Sequence, residues 1–171
     1  MGTIQLDFQL PRRFECTYRG ADGGDHTPVV IHRVIYGSFE RFVGILIEHF
    51  EGRFPLWIAP VQVEVVPVQD DSPELGKAMA ALVERLRKQK IRARVHSAYG
   101  ERMQARIRDC EQRKVPYVVV MGKRDLERGD DTLTVRDTRT REQTTIAVDE
   151  WITLLRGEIS EKRLVVTGAP A

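Results

Sequence analysis

The stretch Val61–Val95, VQVEVVPVQDDSPELGKAMAALVERLRKQKIRARV, decides the fold. Val61–Val66 is a near-continuous apolar run, the mark of a strand covered on both faces. Ser72 then reads as a helix N-cap, with Pro73 at the first helical position and Glu74 in the first turn. From there Leu75, Met79, Leu82, Val83 and Leu86 recur on one helical face, which predicts a helix to about Lys90. Ile91–Val95 is apolar at alternate positions and predicts a second strand. Strand, helix and strand in this spacing make a βαβ unit, whose two strands lie parallel with a right-handed crossover.

Toward the C-terminus the same alternation continues. Glu101–Arg113 reads as a helix, Val115–Met121 as an apolar strand, and Leu133–Arg136 with Thr144–Val148 as a strand pair. Asp149 is the expected cap of a last helix, Glu150–Ile159, and the tail from Ser160 is expected to be loose. Residues 60–159 therefore predict a three-layer α/β domain on a mainly parallel sheet.

Toward the N-terminus the pattern changes. The stretch EGRFPLWIAPVQ, Glu51–Gln62, is punctuated by Gly52, Pro55 and Pro60 and marks a boundary. Before it, Thr3–Gln9 alternates, with Ile4, Leu6 and Phe8 opposite Gln5, Asp7 and Gln9, and Pro11 is expected to end that strand. A strand near Glu15–Tyr18 leads into the turn GADGGDH, and Val29–Ile35 is a third strand. Gly37-Ser38 breaks it, and Ser38 caps a helix expected to bury Phe42, Ile45, Leu46, His49 and Phe50. Three strands and one helix over residues 1–54 are too little to enclose a core.

Composition excludes several classes. A net charge of +2 on 171 residues rules out a uniformly basic nucleic-acid binder, so any polyanion site must come from local clusters. Basic residues do cluster, over Arg85–Arg94 and Arg102–Lys114. Cys16 and Cys110 form no CxxC pair, so neither a disulfide framework nor a cysteine-rich zinc site is implied, and a cytoplasmic setting is expected. No membrane span, secretory leader or myristoylation signal is read, and neither GxGxxG nor GxxxxGK occurs.

Several residues carry chemistry in two senses. His32 shares a strand face with Val30 and Val34 and is either a hydrogen-bonded edge histidine or one zinc ligand of a set not visible nearby. Arg41 stands in the first turn of a helix, where the dipole disfavours a cation by about 0.3–1 kcal/mol. With Gly37 and Ser38 it would suit a phosphate, or it pairs with an acid. The face of Gln5, Asp7 and Gln9 either lines a pocket beside His32 or meets solvent. Arg136, Arg139 and Arg141 on a hairpin either read bases and phosphates or guard a sheet edge.

The strings themselves are more specific. GTIQLDFQLPRRF (2–14), HTPVVIHRVIYGSFERFVGILIEHFEGRFPLWIAPVQV (26–63), RKVPYVVVMGKRDLERG (113–129) and TVRDTRTRE (134–142) resemble the C-terminal part of bacterial threonyl-tRNA synthetases. GSFER (37–41) looks like motif 3 of a class II synthetase, and IHR (31–33) with FPLWIAPVQ (54–62) is particular to the threonine enzymes. The resemblance covers about residues 2–159. It implies a catalytic-domain remnant over 1–54, with partial antiparallel structure, and an anticodon-binding domain over 60–159. That domain has a mixed, mainly parallel five-stranded sheet and is followed by a tail, 160–171.

The resemblance also implies roles. His32 matches a zinc ligand in an enzyme whose zinc holds the threonine amine and hydroxyl. Arg41 matches the catalytic motif 3 arginine that contacts ATP, Ser38 lies beside it, and Thr3 and Gln5 line the threonine and adenylate pocket. Asp125, where the family usually has Glu, and Arg136 fall where the family reads anticodon bases. Motifs 1 and 2 and two further zinc ligands are missing. The chain alone is therefore expected to be inactive and to hold neither zinc nor ATP with Mg tightly. VHSAYGERMQARIRD (95–109) also departs from the family, with Ser97, Tyr99 and Gly100 where an acid, an arginine and an amide are usual. The expected partner is the anticodon stem-loop of threonine tRNA. Exposed strand edges further predict homodimer or edge-strand pairing through residues 1–35. The competing expectation is a free-standing, non-catalytic tRNA-binding or interaction module.

Overall fold

The computed structural model describes residues 2–69, 72–97 and 100–164. The chain divides into two compact units, Met1–Glu48 and His49–Ala171.

The first unit contains β1 (Thr3–Asp7), α1 (Leu10–Arg13), β2 (Tyr18–Arg19), β3 (Asp25–His26), β4 (Val30–Val34) and α2 (Phe39–His49). β1 and β4 pair antiparallel, and β2 and β3 form a hairpin through the glycine turn. Pro11 does not simply end the first strand. The Asp7 carboxylate accepts from the backbone N–H groups of Gln9 and Leu10 at 2.8 and 2.9 Å, and Pro11 sits in the helical turn so started. The second strand falls at Tyr18–Arg19 rather than Glu15–Tyr18. Ser38 caps α2 as expected, its Oγ accepting from Arg41 N at 3.2 Å. The expected burial fails, since α2 buries no residue. Phe42, Leu46 and Phe50 are half-buried, whereas Ile45 and His49 are exposed, because two strands offer no second layer to cover them.

The second unit holds β5 (Val63–Pro67), α3 (Pro73–Lys88), β6 (Ala93–Val95), α4 (Met103–Gln112), β7 (Tyr117–Met121), α5 (Lys123–Arg128), β8 (Thr132–Asp137), β9 (Gln143–Ala147) and α6 (Val148–Ser160). The sheet order is β6-β5-β7-β8-β9. The first three neighbours run parallel, and β8 and β9 close the sheet antiparallel, so the sheet is mixed. All five apolar residues anticipated on α3 are buried. With Trp151, Ile152 and Leu155 of α6 they pack on Val63, Val65, Val119, Leu133 and Val135. The opposite face carries Val66 and Val118 under Ile107 and Cys110 of α4. That alternation builds the three layers.

Two helical details differ from expectation. α6 starts at Val148, and Asp149 caps nothing. Its carboxylate instead accepts from Arg85 Nη2 at 2.6 Å. α5 was not expected at all. Asp125 Oδ2 accepts from Gly122 N at 2.8 Å to start it, and Gly129 ends it at φ +64°.

The segment before β5 is clamped to the sheet. The Gln62 amide donates to Leu56 O at 2.7 Å and accepts from Arg92 N at 2.7 Å. Arg92 in turn donates to the carbonyls of Ala59 (2.8 Å), Trp57 (2.9 Å) and Leu56 (3.4 Å).

Candidate nucleic-acid interface

In open α/β sheets ligands collect at the carboxyl ends of the parallel strands. Here β5 ends at Pro67, β6 at Val95 and β7 at Met121. The Arg106 guanidinium, on α4 and 2% exposed, donates to Pro67 O at 3.1 Å and ties α4 to the end of β5. Arg102 stands at the N-cap of α4, and Lys123 and Arg124 lie in the first turn of α5. None of these three makes an ion pair among the described residues. They give this edge a positive rim suited to phosphate.

Asp125 lies on this edge but is engaged. Beyond the Gly122 bond, its Oδ1 accepts from Arg128 Nη2 at 3.1 Å. It lines a hollow of about 290 Å³ on the α3 face of the sheet, beside Arg85, Asp131 and Thr132. Arg136 lies on the other face, next to Val118 across the ladder, and donates through Nε and Nη2 to Glu111 Oε1 of α4 at 3.1 and 2.9 Å. The structure therefore does not bring Asp125 and Arg136 together, since the sheet separates them. Tyr99, one of the departures in the preceding loop, lies outside the described residues, as do residues 165–171 of the tail.

The other hairpin arginines divide. Arg141 is exposed on the turn. Arg139 is structural, donating to Tyr117 Oη (2.6 Å), Asp137 Oδ2 (2.7 Å) and Glu158 Oε1 (2.9 Å). Its guanidinium also stacks 4.8 Å from the Tyr117 ring centre. Burial works against its charge, but the hydrogen bonds to Asp137 and Glu158 raise its pKa above the usual value.

A buried charge cluster under α4 escaped the sequence reading. Glu64, 1% exposed on the central region of the sheet, accepts from Arg113 Nη1 and Nη2 at 2.9 and 2.7 Å and from Arg94 Nε at 3.2 Å. His96 Nδ1 lies 2.8 Å from Glu64 Oε1. A carboxylate only accepts, so Nδ1 carries the proton. Cys110 Sγ sits 3.8 Å from that nitrogen. Glu64, His96 and Cys110 have the donor types of a metal site. Arg113 Nη2, however, stands 2.7, 3.4 and 3.8 Å from their three ligand atoms and is already the cation among them. Burial and the nearby Glu64 carboxylate raise the Cys110 pKa, so in this surrounding the thiol is disfavoured as a thiolate. The cluster holds α4 against β5 and β6. Its one sequence signal is an acid inside the apolar run 61–66.

In the first unit the register sets Gln5 directly opposite His32, with Thr3 two residues along the same face. All three are exposed. Arg41 is exposed in the first turn of α2, beside Ser38. His26 pairs with Asp22 at 2.9 Å in the hairpin. Among the described residues no group of three metal-binding side chains includes His32.

Known proteins place this architecture. The chain is 44% identical over 163 residues to the threonine–tRNA ligase of Desulforamulus reducens, covering 95% of this chain and 25% of that ligase. It is 52% identical over 129 residues to the Thermus thermophilus ligase, covering 75% of this chain and 19% of that one. The chain thus spans about a quarter or less of the length of these relatives. A crystal structure of the RNA binding domain of threonyl-tRNA synthetase from Cryptosporidium parvum aligns with a TM-score of 0.69 at 29% identity, covering 99% of this chain and 40% of that one. The family model for the anticodon binding domain matches residues 62–158, and this chain belongs to that family.

Proposed function

We propose that this chain is the C-terminal, anticodon-binding portion of a cytoplasmic threonine–tRNA ligase. The family match over 62–158 carries the reading, and the identity to threonine–tRNA ligases across 95% of the chain supports it. Residues 60–159 bind the anticodon stem-loop of threonine tRNA at the carboxyl edge of β5, β6 and β7. Asp125 and Arg136 contact anticodon bases from the two faces of the sheet, with Arg136 exchanging Glu111 for a base.

Residues 1–54 contribute to ATP-dependent formation of threonyl-adenylate in the complete ligase. Thr3, Gln5 and His32 lie on one face, which fits a shared pocket. In it His32 would supply one zinc ligand, and Thr3 and Gln5 would line the threonine and adenylate positions. Ser38 and Arg41 at the start of α2 fit a nucleotide phosphate. Zinc, when bound, acts as a Lewis acid that holds the amine and hydroxyl of threonine. The strands β1 and β4, open along their outer edges, pair with further strands of the ligase or with a second copy.

Equilibrium binding tests the reading. Threonine tRNA is expected to bind this chain more tightly than the same tRNA with a changed anticodon. Arg136→Ala should weaken the cognate complex by about 1–3 kcal/mol, the range for one good base contact. Equal affinity for both tRNAs would overturn it. The chain alone should show no threonine-dependent pyrophosphate exchange, and robust exchange would place the ligase's remaining machinery elsewhere than proposed.

A further inference from the structure

The opposite edge of the same sheet, at the amino ends of β5 and β6, has an unusual charge distribution. A hollow of about 440 Å³ there is lined by Arg87, Lys90, Arg92 and Arg94 with Pro60, Val61, Ile91 and Ala93. A second hollow of about 290 Å³ shares Lys90 and adds Lys88 and Arg156. No carboxylate lines either hollow, although the chain carries 25 acidic residues against 27 basic ones. Arg87 and Arg94 are matched by Glu84 and by the buried Glu64. Lys88, Lys90, Arg92 and Arg156 have no carboxylate partner among the described residues. Arg92 donates only to backbone carbonyls, which leave its charge uncompensated. The carbonyl end of α3 attracts cations and accounts for some of them. Arg156 of α6 reaches that helix end through Gln89, whereas Arg92 is held by the carbonyls of the segment before β5 instead.

The second observation is conformational. Lys90, where the two hollows join, holds φ at +62°. It closes α3 with Lys90 N donating to Arg87 O at 2.8 Å and Ile91 N to Leu86 O at 3.1 Å. Glycine fills such a helix-ending position without strain, whereas lysine does not. Lys90 thus holds a left-handed helix-ending conformation at the junction of the two hollows, as Lys114 does at the end of α4.

We propose that this edge is a second RNA-binding track, which holds the phosphodiester backbone without reading sequence. It deepens the tRNA reading and rests on it. The track lies about 15 Å from the carboxyl edge, one strand length away, so it engages a part of the RNA other than the anticodon bases.

The test uses the 171-residue chain, threonine tRNA and its anticodon-changed counterpart, with affinity measured over a series of salt concentrations. The double variant Lys88→Gln/Lys90→Gln is expected to weaken both tRNAs by the same factor. It should lower the slope of log affinity against log salt by about 1.4–1.8, from roughly 0.7–0.9 per phosphate contact. The ratio between the two tRNAs should not change. Lys90→Gly should lower the slope by about half as much while raising the unfolding midpoint, which separates lost charge from lost structure. An unchanged slope in the double variant would overturn the track. So would a lost ratio with an unchanged slope, or displacement of the RNA by polyglutamate as effectively as by a second RNA of equal charge. If the unaltered chain shows no anticodon preference but its slope still depends on these lysines, the anticodon reading fails and the track stands. If it binds neither tRNA, both fail.

Discussion

The two units of this chain contain similar kinds of residue and use them differently. Among the described residues, fourteen of the seventeen exposed large hydrophobic ones lie in the first unit, among them Ile4, Leu6, Ile31, Ile35 and Phe39. The buried hydrophobic residues of the core, among those described, all lie from Leu56 onward. Both units have strands and an amphipathic, serine-capped helix. The difference is the number of layers. A five-stranded sheet between α3 and α4 buries both of its faces, whereas a two-stranded ribbon with one helix buries neither. Periodicity therefore specifies where an apolar face points, and only topology decides whether anything covers it.

That contrast can be tested by substitutions matched between the units. The largest effect should come from Glu64→Ala, which takes the buried acceptor from His96 and Arg94 and leaves Arg113 with Asp109 alone. Removing one partner of a buried ion pair costs about 3–5 kcal/mol, and denaturant unfolding of the second unit should report it. Leu86→Ala should cost about 2–5 kcal/mol in the same transition, whereas Leu46→Ala on α2 should leave that transition unmoved. Equal losses would mean that the two units share one cooperative core. A Ser72→Ala change should cost about 0.5–2 kcal/mol through the α3 cap, and Ser38→Ala, its counterpart on α2, should not register in that melt. The smallest effect concerns mass. Light scattering of the whole chain should show concentration-dependent self-association, and residues 49–171 alone should remain monomeric. A monomeric whole chain would show that the exposed face of β1 and β4 needs no strand partner.

Much of the second unit was legible before the structure. Val61–Val66, the α3 face and the strand pair at residues 133–148 follow from spacing, because each element buries a face of fixed period. α5 did not follow, since KRDLER has no apolar stripe and owes its start to one Asp125 bond to Gly122. Asp149 misled for a related reason, since an acid beside a helix start looks like a cap whether its partner is a backbone N–H or Arg85. For the candidate site, Gln5 does stand directly opposite His32 in the β1–β4 ladder. Their partners were not visible. The Glu111 that holds Arg136 is 25 residues away, and the Arg113 that holds Glu64 is 49. Such pairs are set by sheet order, which no local pattern encodes.

The Gln62–Arg92 clamp has a consequence for reach. Seven residues, Leu56 to Gln62, precede the first strand of the sheet, and as free chain they would extend about 25 Å. With Leu56, Trp57 and Ala59 held by their carbonyls, that segment is no longer free chain. The entry into β5 is therefore fixed from within its own unit: motion of the chain before Leu56 stops at the clamp, and releasing Gln62 would free that entry without touching the ladder of the sheet.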